Sequence, residues 1–177
     1  MKGPTLRLRT IVRIGAATVV QRPHLLLVWV LLSCATAPGS PGNTVGVEPE
    51  PITERAWVIF GTDSIHAEVA RTEAQRERGL MLREVLPDDT GMLFVFPEAA
   101  VQGVWMKDTD LALDAAFIDE SLTVLDVVPL EPRDLTVKYS DAPVLYVLEV
   151  PMGWFAEHGV TAGHRAAIEF GPPLIRR

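Results

Sequence analysis

The sequence predicts an α+β domain: a small curled or partly closed barrel-like β-sheet with short peripheral helices. Three observations carry that expectation. Beyond residue 56, short apolar runs of strand length recur at close intervals, separated by clusters of turn residues. Only two stretches are patterned for helix, and both are short. Apolar residues make up 48% of the 177, ample for one core.

The chain opens on a segment of different character. Residues 1–34 hold Lys2, Arg7, Arg9, Arg13 and Arg22 and no acid, and residues 25–32 read LLLVWVLL. A basic start, a short apolar run and small residues after it are the parts of a signal peptide. The run is too short to span a bilayer, which takes roughly 20 apolar residues. Leu31-Leu32-Ser33-Cys34 resembles the bacterial lipobox, in which the cysteine is lipidated and becomes the new N-terminus. Lipidation at Cys34 is therefore expected. Cleavage near Ala35 or Ala37, giving a free secreted protein, and an uncleaved anchor are the alternatives. Cys34 is the only cysteine, so no intrachain disulfide or paired-cysteine metal or redox motif exists.

Residues 35–55 read as a flexible tether. Up to Pro51 they contain four prolines and three glycines and little that could enter a core. A globular domain is expected over residues 56–171, followed by a tail at 172–177. Trp57-Val58-Ile59-Phe60 and Ile65-His66-Ala67-Glu68-Val69 flank Gly61-Thr62-Asp63-Ser64, a hairpin pattern. Thr72-Glu73-Ala74-Gln75 is a capping box that opens a helix closing near Gly79. Residues 87–91, Pro-Asp-Asp-Thr-Gly, form a turn cluster. Residues 92–96, 101–106, 115–118, 122–128 and 144–150 read as strands, with a tight turn at Asp119-Glu120-Ser121. Residues 153–158 form a helical turn or two that Gly159 ends, and 166–170 a last strand.

Formal net charge is −7, and removing the five leader cations takes the remainder to −12. So acidic a domain repels phosphate backbones, so no nucleic-acid partner is expected. Acidity does permit cationic partners.

Several stretches together resemble a known family. They are Glu77-Arg78-Gly79-Leu80-Met81, Gly91-Met92-Leu93-Phe94-Val95-Phe96, Trp105-Met106-Lys107-Asp108-Thr109, Leu113-Asp114, Ser140-Asp141-Ala142-Pro143, Tyr146-Val147-Leu148-Glu149 and Gly153-Trp154. In this order and spacing, over roughly residues 56–170, they are similar to the domain of unknown function 192 family. The resemblance implies a small α+β, barrel-like sheet, often in exported proteins, and no catalytic roles to carry over. Asp108 stands where the family often has Asn, which places a second carboxylate beside Asp110.

The segment from Trp105 to Asp114 is the most suggestive of a site. On a strand, Trp105, Lys107 and Thr109 would share one face. An aromatic, an ammonium and a hydroxyl together suit a polar ligand. The plainer reading makes Trp105 core, pairs Lys107 with Asp114, and treats the polar run as a turn. Glu149 lies in an apolar strand; burial would raise its pKa, or an arginine such as Arg83 could pair with it. Met81, Met92, Met106 and Met152 are irregularly spaced among apolar residues and read as core rather than a soft-metal site. His66, His158 and His164 have no metal-ligand spacing, and no serine stands in a nucleophile elbow. No metal or cofactor is expected.

The sequence thus points to an exported, envelope-tethered accessory or binding module, more a binder than an enzyme. Its candidate ligand residues are Trp105, Lys107, Thr109, Asp114 and Glu149. Its partners would be a membrane, through the lipid anchor, and a small polar ligand or an envelope protein. The alternative is an enzyme acting on an envelope glycan or peptide, with Asp114 or Glu149 as acid and base.

Overall fold

The computed structural model describes residues 51–171. Strands β1 (Arg55–Phe60) and β2 (Asp63–Ala70) form the expected hairpin around Gly61-Thr62, with Gly61 in the left-handed region at φ 62°. Their alternation is clean: Ala56, Val58, Phe60, Ile65, Ala67 and Val69 all point to one buried face.

Helix α1 (Glu73–Arg78) follows, and its capping box is complete. The Thr72 hydroxyl accepts from the Gln75 amide at 3.2 Å, and the Gln75 side chain accepts from the Thr72 amide at 3.1 Å. Gly79 ends the helix with φ 46° and ψ −131°, a conformation suited to a residue without Cβ. No residue of α1 is buried, so the helix stands at the rim of the sheet rather than in its core.

The remaining strands are β3 (Thr90–Ala100), β4 (Gly103–Val104), β5 (Leu113–Ile118), β6 (Val124–Leu130), β7 (Lys138–Tyr139), β8 (Val144–Pro151) and β9 (Ala167–Phe170). Helix α2 (Trp154–Glu157) lies between the last two. Seven strands make one mixed sheet in the order β6-β5-β8-β3-β2-β1-β9, and β4 pairs with β7 alone. Only β2 and β3 run parallel, joined by the segment that contains α1. The sheet is curled but remains open.

Each face of the sheet carries a core. On one, Leu93, Ala116, Ile118, Leu148 and Val150 join the hairpin residues beneath Trp154 and Phe155 of α2. On the other, Met92, Phe94, Leu113, Phe117, Val144 and Val147 pack beneath Leu80, Val104 and Met106. β5 is covered on both sides, and all six of its residues are buried. Between Val95 and Ala100 the pairing of β3 with β8 breaks register, at the place where Pro97 offers no amide to the ladder. Phe96, Pro97 and Glu98 have no register partner on β8 there, and they line a cleft.

One sequence reading is corrected here. The strand expected over residues 101–106 is reduced to Gly103–Val104, and a short strand at Lys138–Tyr139 partners it. Gly103 permits the approach: a Cβ there would lie 2.7 Å from Val137 and 2.8 Å from the Tyr139 ring. The leader, Cys34, the tether up to residue 50 and the tail at 172–177 lie outside the described residues.

Candidate functional site

A cleft of about 460 Å³ opens on the second face of the sheet, within the range usual for small-molecule sites. Arg76, Glu77 and Arg78 of α1 form one rim. Phe96 and Glu98 from the register break form another, and Gln102 and Trp105 close the third side. Phe94, Met106, Thr109 and Glu149 lie deeper.

Glu149 is the unusual member. It is paired across to Met92 on β3 and Ala115 on β5, inside apolar strands, and only 6% of it is exposed. Burial pushes its carboxyl up to about 8 from an ordinary 4.5, and among the described residues no hydrogen bond or charge compensates. At neutral pH it is therefore mostly protonated. Arg83, its possible partner by sequence, is engaged elsewhere: its guanidinium donates to both oxygens of Glu68, at 2.9 and 2.6 Å. Burial pushes the Glu68 carboxyl up, but these bonds and the charges of Arg83 and Arg55 more than offset it and hold it low.

Asp114 faces the other way. Along β5, Leu113 and Ala115 belong to the cleft-side core and Ala116 to the opposite one, so alternation puts Asp114 on the opposite face. Its Oδ2 accepts from the Gly153 amide at 2.8 Å, fixing the turn before α2. Asp114 and Glu149 thus sit on opposite sides of one sheet. They cannot act together on a single substrate, and the acid/base pair considered for an enzyme does not assemble.

The shared strand face assigned to Trp105, Lys107 and Thr109 is likewise corrected. The chain turns at Lys107-Asp108, where Asp108 has φ 51°. Trp105 is 46% exposed and lines the cleft, not the core. Lys107 is exposed, with Nζ 5.6 Å from the Trp105 ring centroid, and is not in the cleft lining. No ion pair joins it to Asp114 among the described residues. Thr109 is buried, and its hydroxyl donates to the Lys107 carbonyl at 3.0 Å. Of the five candidates, the cleft therefore gathers Trp105, Thr109 and Glu149.

The turn is firmly held. The Leu82 amide donates to the Asp108 carbonyl at 2.8 Å, Met106 to Asp134 at 2.9 Å and Arg133 to Thr109 at 2.9 Å. The Arg133 guanidinium grips both oxygens of Asp110. Asp108 points to solvent, and its left-handed backbone is one that Asn and Asp tolerate best among residues with a side chain. The preference for Asn in the motif is thus met conformationally by Asp.

Several cleft residues carried no signal strong enough to single out. Phe94 and Phe96 do alternate with Val95, which puts two rings on one face. Arg76 looks like an ordinary helix-surface charge, yet it donates to the Val95 carbonyl at 3.2 Å and to the Arg71 carbonyl, and its guanidinium lies 5.2 Å from the Phe96 ring centroid. The methionines divide: Met92 and Met106 are buried, Met81 is half-buried at the cleft, and Met152 is exposed. Among the described residues no group of three His, Cys, Asp or Glu is placed to hold a metal.

Comparison with known proteins agrees with this architecture. The model of the domain of unknown function 192 family, described as an uncharacterised conserved family, matches residues 57–168. The chain belongs to that family. A crystal structure from Sinorhizobium meliloti 1021, of a protein described as a candidate transcription regulator, is similar at 36% identity and a TM-score of 0.60. The match covers 66% of this chain and 92% of that one. A protein of unknown function from Novosphingobium aromaticivorans DSM 12444 is similar at 31% identity and a TM-score of 0.60, over 64% of this chain and 83% of that one. No curated protein matches the chain.

Proposed function

We propose that this family member is a binding module that holds a small ligand in the cleft beneath α1, and that its leader delivers it, lipid-anchored through Cys34, to the cell envelope. One observation carries the binding reading. A carboxyl group in the second core of the sheet has no partner among the described residues and opens into a formed cleft, at a cost in stability. A group retained at such cost inside a cavity is a candidate for recognition. The description of the Sinorhizobium relative concerns that protein. The net charge of −12 beyond the leader here argues against a phosphate-backbone partner.

The test is thermal stability of the full chain against a panel of amino alcohols, amino acids, sugars and polyamines. Gln102→Trp serves as a plugged cleft, because the Gln102 backbone bonds to Ser140 are unaffected by its side chain. At least one compound should raise Tm in the wild type; a ligand at 100 times its Kd adds about 2.7 kcal/mol. The plugged variant should melt normally and show no rise. A rise that survives Gln102→Trp contradicts the proposal, as does a wild type that no compound stabilises.

A further inference from the structure

We infer that the cleft takes a small organic cation, an ammonium or guanidinium on a short carbon body, held between the Glu149 carboxylate and the Phe94 ring. The inference rests on the cleft being the binding site and adds the chemical class of its ligand.

Register places these two groups side by side. Met92 pairs with Glu149 and Phe94 with Val147, so Glu149 and Phe94 are diagonal neighbours on one face, roughly 7–8 Å apart at Cα. A carboxylate oxygen beside an aromatic face is the donor set an organic cation needs: one charge to pair with, one quadrupole to rest on. The cleft already shows that preference. Two of its rings carry protein cations, Arg76 over Phe96 and Lys107 over Trp105. Among the described residues, no cation lies over Phe94, the ring beside the unpartnered carboxyl.

The charges around the site agree. From α1, Glu73 and Glu77 oppose Arg76 and Arg78, and β3 adds Glu98, so the rim carries one net negative charge. The Arg76 guanidinium is committed to two backbone carbonyls. β5 offers Ala115 at this point, with Asp114 beyond the sheet. Among the described residues no basic side chain acts on the Glu149 carboxyl, so an anionic ligand would find no counter-charge on the floor. An entering cation supplies the charge the carboxylate lacks. The protonated Glu149 then releases its proton to solvent, leaving carboxylate and cation as the bound pair.

Proton release makes the inference testable apart from binding itself. The full chain is titrated calorimetrically with choline, putrescine and arginine methyl ester, and with 3,3-dimethylbutan-1-ol as the uncharged counterpart of choline. Buffers of different ionisation enthalpy report protons. At least one cation should bind, and choline should exceed its neutral counterpart at least tenfold if it is the one held. At pH 6–7, between the ordinary and the raised pKa, release should approach about one proton per cation, with affinity rising as pH rises toward about 8. Glu149→Gln should stay folded, weaken the cation at least tenfold and abolish proton release. Choline on phosphatidylcholine vesicles separates two sources of the same chemistry: vesicle capture that depends on Glu149 assigns a lipid headgroup, and capture of free choline alone assigns a soluble amine. Equal binding of the neutral alcohol without proton release, or no binding by any of the cations, overturns the inference. If a sugar or other neutral compound still binds and is lost in Gln102→Trp, the cleft survives as the site and only its charge preference falls. Cation binding that persists in Gln102→Trp overturns the cleft itself.

Discussion

Glu149→Gln should make the protein more stable, and only at high pH. Below pH 4.5 the carboxyl is protonated in both folded and unfolded chains, so it contributes no pH dependence there. As pH rises, the unfolded chain ionises near 4.5 while the folded one keeps its proton to about 8. The folded state then binds more protons than the unfolded, and stability falls across that window. At ~1.4 kcal/mol per unit, the ceiling is about 5 kcal/mol at pH 8 and above. Water entering the cleft screens the ionised form, so about 2–3 kcal/mol is the working expectation. Glutamine keeps the shape and cannot ionise. The assay is urea or thermal unfolding of wild type and Glu149→Gln between pH 4 and 9, read as the difference between the two. Carboxylates held low by partners, such as Glu68 with Arg83, lose stability on acidification in both proteins and cancel in that difference. The variant should match wild type within about 1 kcal/mol near pH 4.5 and exceed it progressively toward pH 8. Parallel curves, or a variant destabilised at pH 8, would refute the buried, unpartnered carboxyl.

Three further outcomes follow from the geometry. Asp114→Ala removes the acceptor of the Gly153 amide and should cost about 1–3 kcal/mol in denaturant unfolding, whereas Asp114→Asn keeps an acceptor and should cost less; neither should alter ligand binding by the folded protein. Asp108→Asn should be nearly neutral in Tm, while Asp108→Val should cost about 1–3 kcal/mol, because a β-branched residue resists φ 51°; equal stabilities would show that the turn does not demand this conformation. Cys34→Ala should abolish fatty-acid labelling and release the protein from membranes, and unchanged labelling would place the lipid elsewhere or nowhere.

Much of the sheet was legible because local chemistry and tertiary packing agreed. The Thr72–Gln75 box, the Gly61 turn and the alternation of β1 and β2 each specify one conformation, and each formed. The 101–106 segment misled for a physical reason. Val104 and Met106 are buried and Trp105 is exposed, which is a strand's alternation, yet long-range bonds, from the Met106 amide to the Asp134 carbonyl and from the Leu82 amide to the Asp108 carbonyl, fold the chain into a turn. The same turn moves Lys107 out and Thr109 in, so residues two apart no longer share a face. Glu149 could be suspected from its apolar neighbours, but not its isolation, which depended on Glu68 taking Arg83. Asp114 and Glu149 lie 35 positions apart in sequence. Only the register of β5 with β8 reveals that they face opposite sides of one sheet.

The cleft above Glu149 is where this domain is proposed to meet its ligand. Amide and indole NMR shifts of the full chain test it most directly, recorded with the compound that stabilises the protein most. The largest changes should fall on Phe94, Trp105, Thr109 and Glu149, with Trp154 on the opposite face unmoved. Changes centred on Trp154 and Asp114, or scattered without a centre, would contradict it.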